Sequence, residues 1–417
     1  MKFPIRKALV YAASLAVLSA IFPAINLAQT ATPPAQKQVI QVSPGYLESM
    51  GAQMKFGRAN KMPANLAMTD PRIVSVRHFT GAFNFQGQTY PYMMVGQRPA
   101  PGNSSRIPNQ VRSIIAVFPD FVDQNGNPIV LDATQVQPQT LGSPIWQPSP
   151  FTSGLTQWGD AIQRASLFQF LKDPDHDGDV DTDWHTLLQQ PSIQQPLVIE
   201  VPASDVNLFE VPNGTIFAVV NEEFWLSQLD TIFQLQNIDT SQLSVVLSRN
   251  VFLAPNADIT QCCILGFHTV FELNSNNPNV IPLETLINAT WVDPGIFLSP
   301  NVADIHPLSH EVAEWYADPF VNNVVPPWLN PEDGGCSNIL EVGDMLVGDS
   351  IPISLNGFLY HPQSVALLPW FSRQQPSLAL GGAYSYPDTS ALTSPAPVCT
   401  ATPASSSSSS LLLNWKP

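Results

Sequence analysis

The segment "LSHEVAEWYADPF", Leu308 to Phe320, places an imidazole, His310, four residues before a carboxylate, Glu314, with a second carboxylate, Glu311, beside the imidazole. On a helix of 3.6 residues per turn, positions four apart lie only about 40° apart around the axis. His310 and Glu314 therefore project together and suit two coordination positions of one cation. Zinc accepts imidazole nitrogen and carboxylate oxygen alike. Glu311 stands about 100° round from His310, where it would meet a water on that cation as a general base. A glutamate where a zinc helix usually carries its second histidine adds negative charge, which lowers Lewis acidity and makes a bound water harder to ionise.

A third donor must come from elsewhere. "EVGD" offers Glu341 and Asp344 about thirty residues downstream. His306, Asp318 and His268 are further candidates: one turn earlier, at the helix end, and in the strand-like "GFHTVF". The competing reading of the same residues is the wet face of an amphipathic helix.

A second constellation lies in "KDPDHDGDVDTDW", where Asp173, Asp175, Asp177, Asp179, Asp181 and Asp183 occupy alternate positions. As a calcium loop it puts Asp173, Asp175 and Asp177 at positions 1, 3 and 5 and Gly178 at the sharp turn. Trp184 stands at position 12, where a bidentate glutamate is usual. The competing reading is a solvated acidic turn.

These residues need elements to hold them. Pro307 suits a first helical position and Pro319 forbids continuation, so a helix is predicted over about 307–317. Leu308, Val312, Trp315 and Tyr316 form its apolar stripe, expected to pack on a sheet while His310 and Glu314 face a cleft. Strands are predicted through 72–142, with "DQNGNP" as a turn, and again through 195–275; a further helix is expected within 222–234. Helices are expected on both sides of the acidic loop. The fold class is α+β: a β-rich N-terminal part and a zincin-like C-terminal half, with the 307–317 helix packed on a mixed sheet.

Residues 1–28 read as a signal peptide: Lys2, Arg6 and Lys7 precede an apolar run, and an uncleaved anchor is the alternative. Thereafter the organisation reads as a linker or arm (29–65), a β-rich region (66–150), helix–acidic loop–helix (151–192), a zincin-like domain (193–395) and a disordered Ser-rich tail (396–417). The expected location is secreted, extracellular or periplasmic, with no transmembrane segment after signal removal. A net charge of −16 disfavours nucleic acid as a partner and suits cations. Export permits disulfides. Four cysteines allow three pairings, and the adjacent Cys262 and Cys263 are expected to take separate partners.

"SHEVAEWYADPF" followed by "EVGD" resembles a pattern in secreted bacterial proteins related to zinc metallopeptidases, with a variant HExxE motif. "LGFHTVF" is faintly similar to a segment of EXORDIUM-like, phosphate-induced proteins. The likeness covers about 262–345. It implies His310 and Glu314 as zinc ligands, Glu311 as general base and a peptide or protein substrate, so the expected function is a metal-binding, metallopeptidase-like hydrolase. The rival is a non-catalytic extracellular binding or structural protein on the same scaffold. Zinc and calcium are the expected cofactors.

Overall fold

The computed structural model describes residues 37–49, 55–58, 70–171, 183–235, 239–275, 277–332 and 334–399. Its centre is a mixed sheet. In chain order, the strands that matter here are β1 (Asn109–Val122), β2 (Leu243–Arg249), β3 (Ile264–Glu272) and β4 (Ile281–Trp291). They lie side by side in the order β3, β4, β2, β1. β3 and β4 are antiparallel, with His268 opposite Ile287 and Gly266 opposite Ala289. β4–β2 and β2–β1 are parallel. Strands predicted before residue 142 and after 195 thus share one sheet. The described residues belong to one compact unit, Gln36–Pro417.

Alternation along the strands divides the core. Val270, Ile287 and Ala289 join the larger apolar cluster, which also takes in Trp158, Trp315, Tyr316 and Trp370. Phe267 and Leu286 point the other way, into a cluster with Trp225 and Leu229. One face is covered by α1 (Trp158–Ser166) and α3 (His306–Ala317), the other by α2 (Glu222–Leu235). The α+β class is therefore correct, and the helix expected over 307–317 is present.

Several expectations change. The segment after the acidic loop is a strand, not a helix: Thr186–Leu188 runs parallel to Ser105–Ile107. The buried Asp160 carboxylate fixes its start by accepting from Thr186 N at 2.6 Å. Trp184, at the place of a calcium-binding glutamate, is a fully buried core residue whose Nε1 donates to Gln97 O. The segment read as a linker contributes Ile40–Gln41 and Lys55–Arg58 to the sheet. At the tail, Ala396 is buried and its N donates to Trp370 O.

Cys262 and Cys263 do not take separate partners; they are joined to each other, and Cys336 pairs with Cys399. The peptide between them is cis, with Cα atoms 3.0 Å apart. Among the described residues no helix is long and apolar enough to cross a membrane. The signal segment and the calcium-loop residues Asp173, Asp175, Asp177, Asp179 and Asp181 lie outside the described residues.

Candidate metal centre

α3 is buried all round, from His306 to Tyr316. Its neighbours explain how it carries both an apolar and a charged face inside a core. Toward α1, Trp158 Nε1 donates to Ser309 O at 3.1 Å, and Tyr316 lies so near Gly159 that a Cβ there would sit 2.5 Å from its ring. Toward β3, the helix presents carboxylates. Glu311 Oε2 lies 3.2 Å from His268 Nδ1, and Glu314 Oε2 lies 3.4 Å from the same atom. Gly266 makes this approach possible, since a Cβ there would come within 2.9 Å of Glu311. The charged face thus meets the sheet, and the expected cleft is instead a closed polar pocket: His310, Glu311 and Glu314 are 0%, 0% and 2% exposed.

His310 Nε2 lies 3.2 Å from Glu314 Oε1 and 3.5 Å from Asp344 Oδ1. Its other nitrogen, Nδ1, is 3.1 Å from Gln363 Oε1. The amide orientation of Gln363 is set by its Nε2, which donates to Gly343 O at 2.7 Å. The amide oxygen can only accept, so Nδ1 carries a proton and Nε2 is left to face two carboxylates. Such an outer hydrogen bond is what fixes a metal-ligating imidazole. Asp344 is oriented in turn by Asn330 Nδ2, at 2.8 Å from Oδ2. Gly343 closes the pocket: its N donates to Glu314 Oε1 at 3.0 Å.

The donors fall into two groups whose ligand atoms lie within 4.8 Å of one another: His268, Glu314 and Glu341, and His310, Glu314 and Asp344. Five of the sequence candidates, His268, His310, Glu314, Glu341 and Asp344, are therefore together. Two are not part of either group. His306 accepts from Gly348 N at 3.3 Å, and burial holds its pKa down, at about 3. Asp318 caps the turn after α3, accepting from Asn322 N and Asn323 N at 3.0 and 2.9 Å. Gln363 was not anticipated. It sits in "YHPQS", 53 residues from His310 in sequence, and nothing local marks it as an imidazole partner.

The electrostatics are those of a site short of positive charge. Burial pulls His268 and His310 toward neutrality, but Glu311 and Glu314 beside the first, and Glu314 and Asp344 beside the second, outweigh it and hold both well above the usual histidine range. Burial likewise pushes Glu314 up, yet the two histidines hold it below the usual range. Glu311 rises to about 7, driven by burial against the pull of His268 and His310. Among the described residues, buried His268 Nε2 and Glu311 Oε1 have no hydrogen-bond partner. Orphaned donor atoms in a buried imidazole–carboxylate set fit a divalent cation, which satisfies such atoms without needing a hydrogen-bond donor.

No protein-family model, characterised protein or solved structure matches the chain.

Proposed function

We propose that this is an exported metal-binding protein with a metallopeptidase-like centre, and that its reaction is hydrolysis of a peptide bond. The observation that supports this reading is His310 Nε2: held by Gln363 behind it, it faces the Glu314 and Asp344 carboxylates in a sealed pocket. His310 and Glu314 would hold the cation, with Glu341 or Asp344 completing the set. A bound divalent ion supplies Lewis acidity there, polarising a carbonyl and lowering the pKa of water. Glu311 has the properties of a base that works near neutrality: burial pushes it up to about 7, and Oε1 has no hydrogen-bond partner among the described residues. His268 lies beside that carboxylate, at 3.2 Å from Glu311 Oε2.

A second reading, a non-catalytic binding protein on the same scaffold, is favoured by the burial of Glu311, which leaves a substrate no direct approach in this conformation. Glu311→Gln separates the two. In an enzyme, turnover of a peptide library by the mature protein falls by at least about 100-fold, the scale of general-base catalysis, while bound metal is retained. A binding protein shows no cleavage before or after the change.

A further inference from the structure

The two donor groups share one residue, and the sharing is divided between its two oxygens. Glu314 Oε1 faces His310, at 3.2 Å from Nε2. Glu314 Oε2 faces His268, at 3.4 Å from Nδ1. Beyond the histidines, the sets diverge: Glu341 belongs with His268, and Asp344 with His310. A carboxylate with each oxygen turned to a different imidazole has the form of a bridge between two cations. Glu314, Glu341 and Asp344 bring three carboxylates to only two imidazoles in these groups, all five side chains buried, and buried charge is costly unless it is balanced. On the His268 side too a buried polar atom, Nε2, has no hydrogen-bond partner among the described residues.

We infer that the pocket takes two divalent transition-metal ions bridged by the Glu314 carboxylate, one on the His268–Glu341 side and one on the His310–Asp344 side. This rests on the metal-binding reading above and goes beyond the single ion that the HExxE helix implies. The mixed nitrogen and oxygen donors suit zinc, manganese or iron in the divalent state rather than calcium. Paired ions of this kind sit about 3.5–4 Å apart and stabilise both the attacking and the leaving oxygen of a displacement.

The test is a titration of the metal-stripped mature protein with Zn2+, in excess Ca2+ so that the acidic loop does not compete. Two equivalents bound per chain are expected. His268→Ala and Asp344→Ala should each keep one equivalent, and Glu314→Ala neither tight equivalent. A single equivalent in the unsubstituted protein, abolished by both His268→Ala and Asp344→Ala, overturns the two-ion inference and leaves the metal reading standing. No bound zinc overturns both. Independently of any substitution that disturbs folding, the unsubstituted protein loaded with Mn2+ should give the exchange-coupled resonance spectrum of a bridged pair. The spectrum of isolated ions alone contradicts the bridge.

Discussion

His310 has the shape of a ligand because of three residues far from it in sequence. Gln363 fixes its proton on Nδ1, Asn330 aims Asp344, and Gly343 leaves room for the ring. The last can be tested by a single methyl group. A Cβ on Gly343 would lie 2.5 Å from His310 Cε1 and Nδ1, and the backbone there, at φ −83°, is ordinary for alanine. Gly343→Ala therefore acts through the clash with the imidazole or through the backbone hydrogen bonds Gly343 makes to Glu314 and Gln363, all within the site. The expected outcome is a loss of about 1–3 kcal/mol in denaturant unfolding, the usual cost of overpacking, and a fall in zinc affinity of roughly 10-fold or more, as for a lost outer-shell support. Unchanged affinity would mean that His310 is not a ligand. At this scale the sequence was informative where donors are close in the chain. The four-residue spacing of His310 and Glu314 predicts their convergence, and "EVGD" contained both downstream donors. It could not reveal Gln363, because an amide in a Pro-rich loop carries no periodicity.

Among the elements, β4 was the least legible. "IPLETLINATW" carries Pro282, Glu284 and Asn288, which argue against a central strand, yet all but Pro282 of its eleven residues are buried. The structure explains the polar positions. Asn288 Oδ1 accepts from Trp225 Nε1 on α2, and Glu284 Oε1 accepts from Ser244 Oγ on β2. Tertiary partners, invisible to local pattern, made these residues compatible with the core. Glu284 leaves a pH signature. Burial, only partly offset by Ser244, pushes its pKa from 4.5 up to about 8. The folded state keeps this proton over a range in which the unfolded chain has lost it. The stability Glu284 contributes is complete below its unfolded pKa and is lost as pH rises through about 8. Unfolding measured between pH 5 and pH 8 should show a decline that Glu284→Gln removes, on the order of a few kcal/mol. Parallel curves for the two proteins would show that Glu284 is solvated after all. The apolar α3 stripe and the packing of α3 on the sheet follow the sequence pattern, since the helix lies against β4 and β3. Tyr316 packs on α1, and the carboxylates meet β3, where Gly266 leaves room and His268 receives charge.

For the whole molecule, composition was a sound guide to a large core: Trp158, Trp184, Trp225, Trp315 and Trp328 are all fully buried. Sheet order was beyond reach, since placing β1 next to β2 joins segments more than a hundred residues apart. Joining them in one sheet gives α3 a rigid floor, and α1 and the 323–344 and 361–366 segments close the pocket from the other sides. The molecule thus invests its interior in six ionisable groups that would be destabilising without a partner. A divalent cation held there would turn that cost into binding energy, which is the central claim. Crystals of the protein grown with Zn2+ and measured on both sides of the zinc absorption edge test it directly. Anomalous density within bonding distance of the Glu314 carboxylate, on the His310 and His268 sides, is the predicted result. An anomalous map without density there, at saturating zinc and with the two histidines still against Glu314, would contradict it.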